Sequence, residues 1–115
     1  MNIRLFKPCV GEEELEEIKE AFGRAWLGLG PKVNEFEQKW SNFIGCKDSV
    51  GVNSGTAALH LALSAFRFPA GKKVLLPVMT FASTAMAVLY NNLQPVFVDI
   101  DENTAGICLE DLERK

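Results

Sequence analysis

The stretch "NSGTAALHLAL" (residues 53–63) runs four small or polar residues into a block that is apolar nearly all round. That order predicts a buried helix entered through a polar doorway, and the doorway has two readings. A Ser or Asn ahead of a helix is a cap, its side-chain oxygen accepting one of the N–H groups the first turn leaves unpaired. The same residues suit a phosphate. The helix N-terminus offers unpaired N–H groups and partial positive charge, Gly55 removes a side chain, and Ser54 and Thr56 add hydroxyls. The stretch alone fits both.

Working outward, the pattern becomes a β-α alternation. "SVGVN" (49–53) is a short β-rich run ahead of the helix, "KKVLLP" (72–77) a second, and "QPVFVDI" (94–100) a third, with helical sequence over 81–91. Runs about 23 residues apart suit β-α-β-α-β over 49–100 and a parallel sheet, with Pro77 ending the second strand. In such units the loop after a strand faces the ligand side. After Asp101, "ENTAGICLEDLERK" reads as a turn and the start of a further helix over 108–115.

Upstream lie two helices within 11–45. "GEEELEEIKEAFGRAW" (11–26) repeats Leu15, Ile18, Phe22 and Ala25 or Trp26 at helical spacing, with acids first and Lys19 and Arg24 later. Its "EEELEE" run is a solvated face. "LGLGPKVNEFEQKWSNFIG" (27–45) starts at Gly30-Pro31, carries Val33, Phe36, Trp40, Phe43 and Ile44 on one face, and stops at Gly45.

The bulk numbers narrow the class. With 115 residues, 48% hydrophobic and 23% charged, the chain is one ordinary globular domain. A net charge of −3 gives no basic footprint for nucleic acid, and one His leaves little for metal or triad chemistry, so no metal site is read. Cys9, Cys46 and Cys108 are scattered and odd in number, as reduced thiols of a cytoplasmic protein are. "MNIRLFKPCV" has no sustained apolar run to act as a secretory signal. Residues 74–98 carry no charge, which is span-like in length, but Pro77, Thr80, Ser83, Thr84, Asn91, Asn92, Gln94 and Pro95 interrupt them. A strand, helix and strand buried on both faces accounts for that pattern without a membrane.

Taken together, "GLGPKVNEFEQKWSNFIG", "NSGTAALHLALSAF", "LLPVMTFASTAMAVL" and "PVFVDIDENT" resemble the DegT/DnrJ/EryC1/StrS family of sugar aminotransferases, over roughly residues 11–111. The resemblance implies a pyridoxal-phosphate enzyme of fold type I. Its large domain is aspartate aminotransferase-like, three α/β/α layers around a mostly parallel seven-stranded sheet, and residues 1–115 would be its N-terminal part. It implies that Thr56 and Ala57 hold the cofactor phosphate, with Ser54 and Gly55 completing the seat, and that Phe81 stacks on the pyridine ring. Read without the resemblance, Phe81 is a core aromatic. Gly28 and Gly30 are turn glycines that, by the same resemblance, border the substrate site. His60 reads as a core or boundary histidine, and Asp99 and Asp101 as either a ligand edge at a strand end or turn and helix-capping acids, neither of them catalytic.

The implied reaction passes an amino group, from glutamate, to a keto-sugar carried on a nucleoside diphosphate, in amino-sugar and cell-surface polysaccharide biosynthesis. The implied assembly is a homodimer. Some family members are instead sugar dehydratases with the same cofactor, His replacing the Schiff-base lysine. That lysine, the acid facing the pyridine nitrogen and a buttressing polar group follow the "VDID" segment by many tens of residues in the family. None of Lys7, Lys19, Lys32, Lys39, Lys47, Lys72, Lys73 and Lys115 matches the lysine, so no catalytic residue is assigned here. "LEDLERK" also ends mid-helix without a cap. The chain is therefore expected to be the inactive N-terminal part of a longer enzyme, or a non-catalytic remnant with a phosphate loop. Two loops depart from the family pattern: "AGKKVLLP" in place of a usual Gly-Asp, and "NNLQPVFVD" in place of a usual Gly-Ala.

Overall fold

The computed structural model describes residue 3 and residues 6–115. Its first unit, ending at Gly51, holds α1 (Glu12–Gly23) and α2 (Pro31–Ile44). Glu12, Glu13 and Glu14 occupy the first turn of α1, where they complement the helix dipole, and the Glu14 carboxylate accepts the Gly11 N–H at 2.6 Å. The expected continuation of α1 to Trp26 does not form. Ala25 takes a left-handed φ of 51°, and the Trp26 indole N–H donates to the Leu29 carbonyl at 2.7 Å, so the chain turns back instead. Helix α2 begins as expected, with Gly30 at the cap and Pro31 in a first-turn position that needs no N–H, and it ends at Gly45 with φ 77°. Lys32 on α2 pairs with Glu17 and Glu20 on α1. These pairs are exposed and contribute little.

The first expected strand, residues 49–53, is not a strand. A strand needs a partner for its N–H and C=O groups, and among the described residues this run has none. Side chains and backbone of α2 occupy its polar groups instead. The Ser49 hydroxyl donates to the Glu37 carbonyl at 2.8 Å and lies 2.6 Å from the hydroxyl of buried Ser41. The Gly51 N–H donates to the Glu37 carboxylate at 2.7 Å. The boundary between two compact units falls inside this run, at Gly51 and Val52.

The second unit contains α3 (Gly55–Ala65), β1 (Lys73–Pro77), α4 (Ala82–Tyr90), β2 (Gln94–Val98) and α5 (Leu109–Arg114). Strands β1 and β2 pair in parallel, from Lys73 opposite Gln94 to Pro77 opposite Val98, with α4 as the crossover. The core is small. Leu76, Val88 and Leu93 form its centre, with Leu63, Val74 and Ala85 packed against them. The charge-free residues 74–98 are thus a strand, a helix and a strand, and no helix among the described residues is long and apolar enough to cross a membrane. After β2, Ile100 and Ile107 form an antiparallel bridge around a turn that Asp101 organises. Its carboxylate accepts the N–H groups of Asn103 and Thr104 at 3.0 and 2.9 Å, and the Thr104 hydroxyl at 3.0 Å. The Asp99 N–H donates to the carboxylate of Asp111, on α5, at 2.9 Å. Of the two readings of these acids, the turn account describes Asp101, and the Asp99 carboxylate accepts the N–H of the next residue, Ile100, at 2.8 Å.

Candidate functional site

A helix joining two parallel strands must run back against them, so α4 starts at the end of the sheet where β1 stops. Helix α3 hands over to the opposite end of β1 through residues 66–72, so its N-terminus points to the same end as that of α4. Contacts between the helices follow this parallel order. His60 of α3 faces Tyr90 with ring centroids 5.5 Å apart, and Ser64, one turn later, bonds to Asn91. Both helix N-termini therefore open at the carboxyl edge of the sheet, the side on which open α/β sheets bind ligands.

At the α3 end, the cap reading of the doorway is realised by Ser54. Ser54 is an N-cap with extended backbone, and its Oγ accepts the Ala57 N–H at 3.2 Å. The Ala58 N–H closes onto the Ser54 carbonyl at 3.1 Å. Gly55 and Thr56, as the first two helical residues, keep N–H groups with no intrahelical acceptor. A Cβ at Gly55 would meet nothing within 4 Å. An anion can therefore approach Gly55 and Thr56 closely, whereas the Ala57 amide is already engaged by the cap. At the α4 end, Phe81 is the N-cap residue and is 78% exposed, so it is no core aromatic. Beside it the hydroxyls of Thr80 and Thr84 lie 2.9 Å apart.

Gly28 and Gly30 belong to the other unit. There they border a cavity of about 200 Å³ lined also by Arg24, Trp26, Leu27 and Lys32. Gly30 has a packing role, since a Cβ on it would lie 2.5 Å from the Trp26 ring. His60 is half-buried against Tyr90, as a boundary histidine. Lys72 and Lys73 stand at the start of β1, the opposite end of the sheet from Phe81. One residue was invisible to sequence reasoning as anything but a polar break. Asn91, half-buried, donates to the carbonyls of Ala87 at 2.8 Å and His60 at 3.2 Å, and accepts from the Ser64 hydroxyl at 2.5 Å. Its only signal was position, just past the last turn of a helix and before a second Asn suited to a left-handed φ of 56°.

The profile of the DegT/DnrJ/EryC1/StrS aminotransferase family matches residues 8–115. The chain belongs to this family. Among curated relatives, it is 46% identical over 100 residues to the spore coat polysaccharide biosynthesis protein SpsC of Bacillus subtilis (strain 168), covering 87% of this chain and 26% of that protein. It is 38% identical over 114 residues to the dTDP-4-dehydro-2,3,6-trideoxy-D-glucose 4-aminotransferase of Saccharopolyspora spinosa, covering 97% and 30%. The chain thus spans under a third of the length of each. Among solved structures, it superposes with a TM-score of 0.90 and 31% identity on the PLP-form of Spr1654 from Streptococcus pneumoniae, classed as a sugar aminotransferase, covering 99% of this chain and 29% of that one. On the E. coli GDP-4-keto-6-deoxy-D-mannose-3-dehydratase with bound hydrated PLP, the TM-score is 0.89 at 26% identity, covering 98% and 31%. The fold is a portion of the large domain of these family members, as the sequence motifs implied.

Proposed function

We propose that the chain forms the cofactor-seating part of a pyridoxal-phosphate-dependent aminotransferase acting on a nucleotide-linked keto-sugar, with glutamate as amino donor. The observation that carries this is the α3 doorway. Ser54 closes the turn, leaving the Gly55 and Thr56 amides and open space for a phosphate, at the same end of the sheet as the exposed Phe81 ring. The residues present fit the cofactor. Thr56 and the two amides would hold its phosphate at a positive helix end, and Phe81 would cover one face of its ring. When bound, pyridoxal phosphate supplies the electron sink that amino-group transfer needs.

In the complete protein we expect a homodimer. The uncovered aromatic row Phe36, Trp40 and Phe43 on α2, with rings 6.1 and 5.9 Å apart, supports a covering partner.

The likeness to the E. coli dehydratase supports a second reading, removal of a sugar hydroxyl with the same cofactor. Incubating the complete protein with nucleoside-diphosphate 4-keto-sugars and glutamate, with products read by mass spectrometry, tests both. An amino-sugar with matching 2-oxoglutarate supports the aminotransferase. A deoxy-sugar overturns it in favour of the dehydratase, and no product together with no cofactor binding favours a remnant.

A further inference from the structure

We propose that Asn91 is a positioning residue that sets the separation between the phosphate seat at Thr56 and the ring platform at Phe81. This inference rests on the cofactor reading above. The Asn91 carboxamide touches both helices that carry the site. Its Nδ2 donates to Ala87 in α4 and to His60 in α3, and its Oδ1 accepts from Ser64 in α3. Asn91 itself stands at the C-terminal end of α4 and reaches the middle and last turn of α3 at His60 and Ser64, whereas both seats lie at the helix N-termini.

Beside these bonds, the helices meet through the tilted His60 and Tyr90 rings and through aliphatic packing of Leu63, Ala85 and Val88 on the sheet. Such contacts are non-directional and tolerate a small slide. Hydrogen bonds are directional: the bond to Ala87 fixes the carboxamide on its own helix, and the bonds to the His60 carbonyl and the Ser64 hydroxyl tie the register of α3 to that of α4. A helix of nine residues is short and stiff, so a shift at Asn91 reaches Phe81 largely undiminished. The cofactor is one small rigid molecule with its phosphate on one helix and its ring on the other. Its affinity depends on that separation, whereas a ligand touching only α3 does not sense it.

Asn91→Asp in the complete protein separates these cases. It keeps the side-chain size and the acceptor for Ser64 but removes both donors. Pyridoxal phosphate affinity should fall about tenfold, while inorganic phosphate affinity stays within about twofold. Ser64→Ala, which removes one bond and leaves the helices otherwise intact, should shift the same ratio in the same direction by a smaller factor, and it decides the matter if Asn91→Asp fails to fold. Equal weakening of both ligands, or no change in either, overturns the positioning role. Thr56→Val is the control for the underlying reading. If it leaves both affinities unchanged, the phosphate seat is wrong and this inference falls with it. If Thr56→Val weakens both while Asn91→Asp changes nothing, this inference alone is overturned.

Discussion

The hydroxyl oxygen of Ser54 accepts the backbone N–H of Ala57 at 3.2 Å, closing the first turn of α3. On the proposed reading, one loop does two jobs with different residues. Ser54 caps the helix, and the neighbouring Gly55 and Thr56 amides stay available to a ligand. Ser54→Ala should cost about 1 kcal/mol and lower the melting temperature, with cofactor affinity nearly kept. Thr56→Val should do the reverse, weakening pyridoxal phosphate by roughly ten- to a hundredfold, the worth of one hydrogen bond to a charged group. Calorimetry and cofactor titration on both variants check this. The opposite ordering would leave the loop as a cap only.

Phe81 makes a different prediction because its ring is largely exposed and supports no core. Phe81→Ala should change stability by less than about 0.5 kcal/mol, as surface substitutions do. Cofactor affinity should fall with the lost stack, while the phosphorus resonance of the bound phosphate hardly moves. A large drop in melting temperature would show that the ring packs against protein instead.

Gly30 and Gly28 are two residues apart and should respond oppositely to one methyl group. A Cβ at Gly30 meets the Trp26 indole at 2.5 Å and must displace it, breaking its bond to the Leu29 carbonyl, whereas a Cβ at Gly28 meets nothing within 4 Å. Gly30→Ala should destabilise by about 1–3 kcal/mol, as overpacking does, and change the Trp fluorescence. Gly28→Ala should be close to neutral in the same denaturation experiment.

The turn after β2 should carry a signature in acid. The Thr104 N–H, with help from its hydroxyl and the Asn103 N–H, holds the Asp101 carboxyl below its ordinary value. A depressed carboxylate stabilises the fold above its unfolded pKa, and that contribution is lost as pH falls through the lower, folded pKa. Carbon NMR should therefore find Asp101 titrating below the usual carboxylate range, and the Thr104 amide should lose exchange protection only in that acidic window. Asp101→Ala should abolish the titration and leave the Thr104 amide unprotected already at neutral pH.

Much of this protein was legible locally. Helix α2 starts at Gly30-Pro31 and stops at Gly45 because a cap, a fixed φ and a left-handed residue are decided within a few residues of chain. The runs at β1 and β2 and the helix between them were readable from apolar pattern and spacing, and the four motifs were enough to place the family. The Ser54 cap was legible too, as a Ser one residue ahead of an apolar helix.

Tertiary structure decided the rest, wherever the outcome depended on which distant group was present. Residues 49–53 have strand composition, but a strand is a relation between two segments. With no ladder partner among the described residues, Ser49 and Gly51 bond to Glu37 of α2 instead. Whether Phe81 was buried or presented could not be read from an aromatic beside a helix start, because exposure depends on what packs above it. Asn91 looked like a loop residue, and only the parallel packing of α3 on α4 brought the His60 carbonyl and the Ser64 hydroxyl within its reach. Caps and turns are short-range hydrogen bonding and are written in neighbouring residues. Pairing, exposure and helix register are long-range, and the fold sets them by bringing together groups separated along the chain.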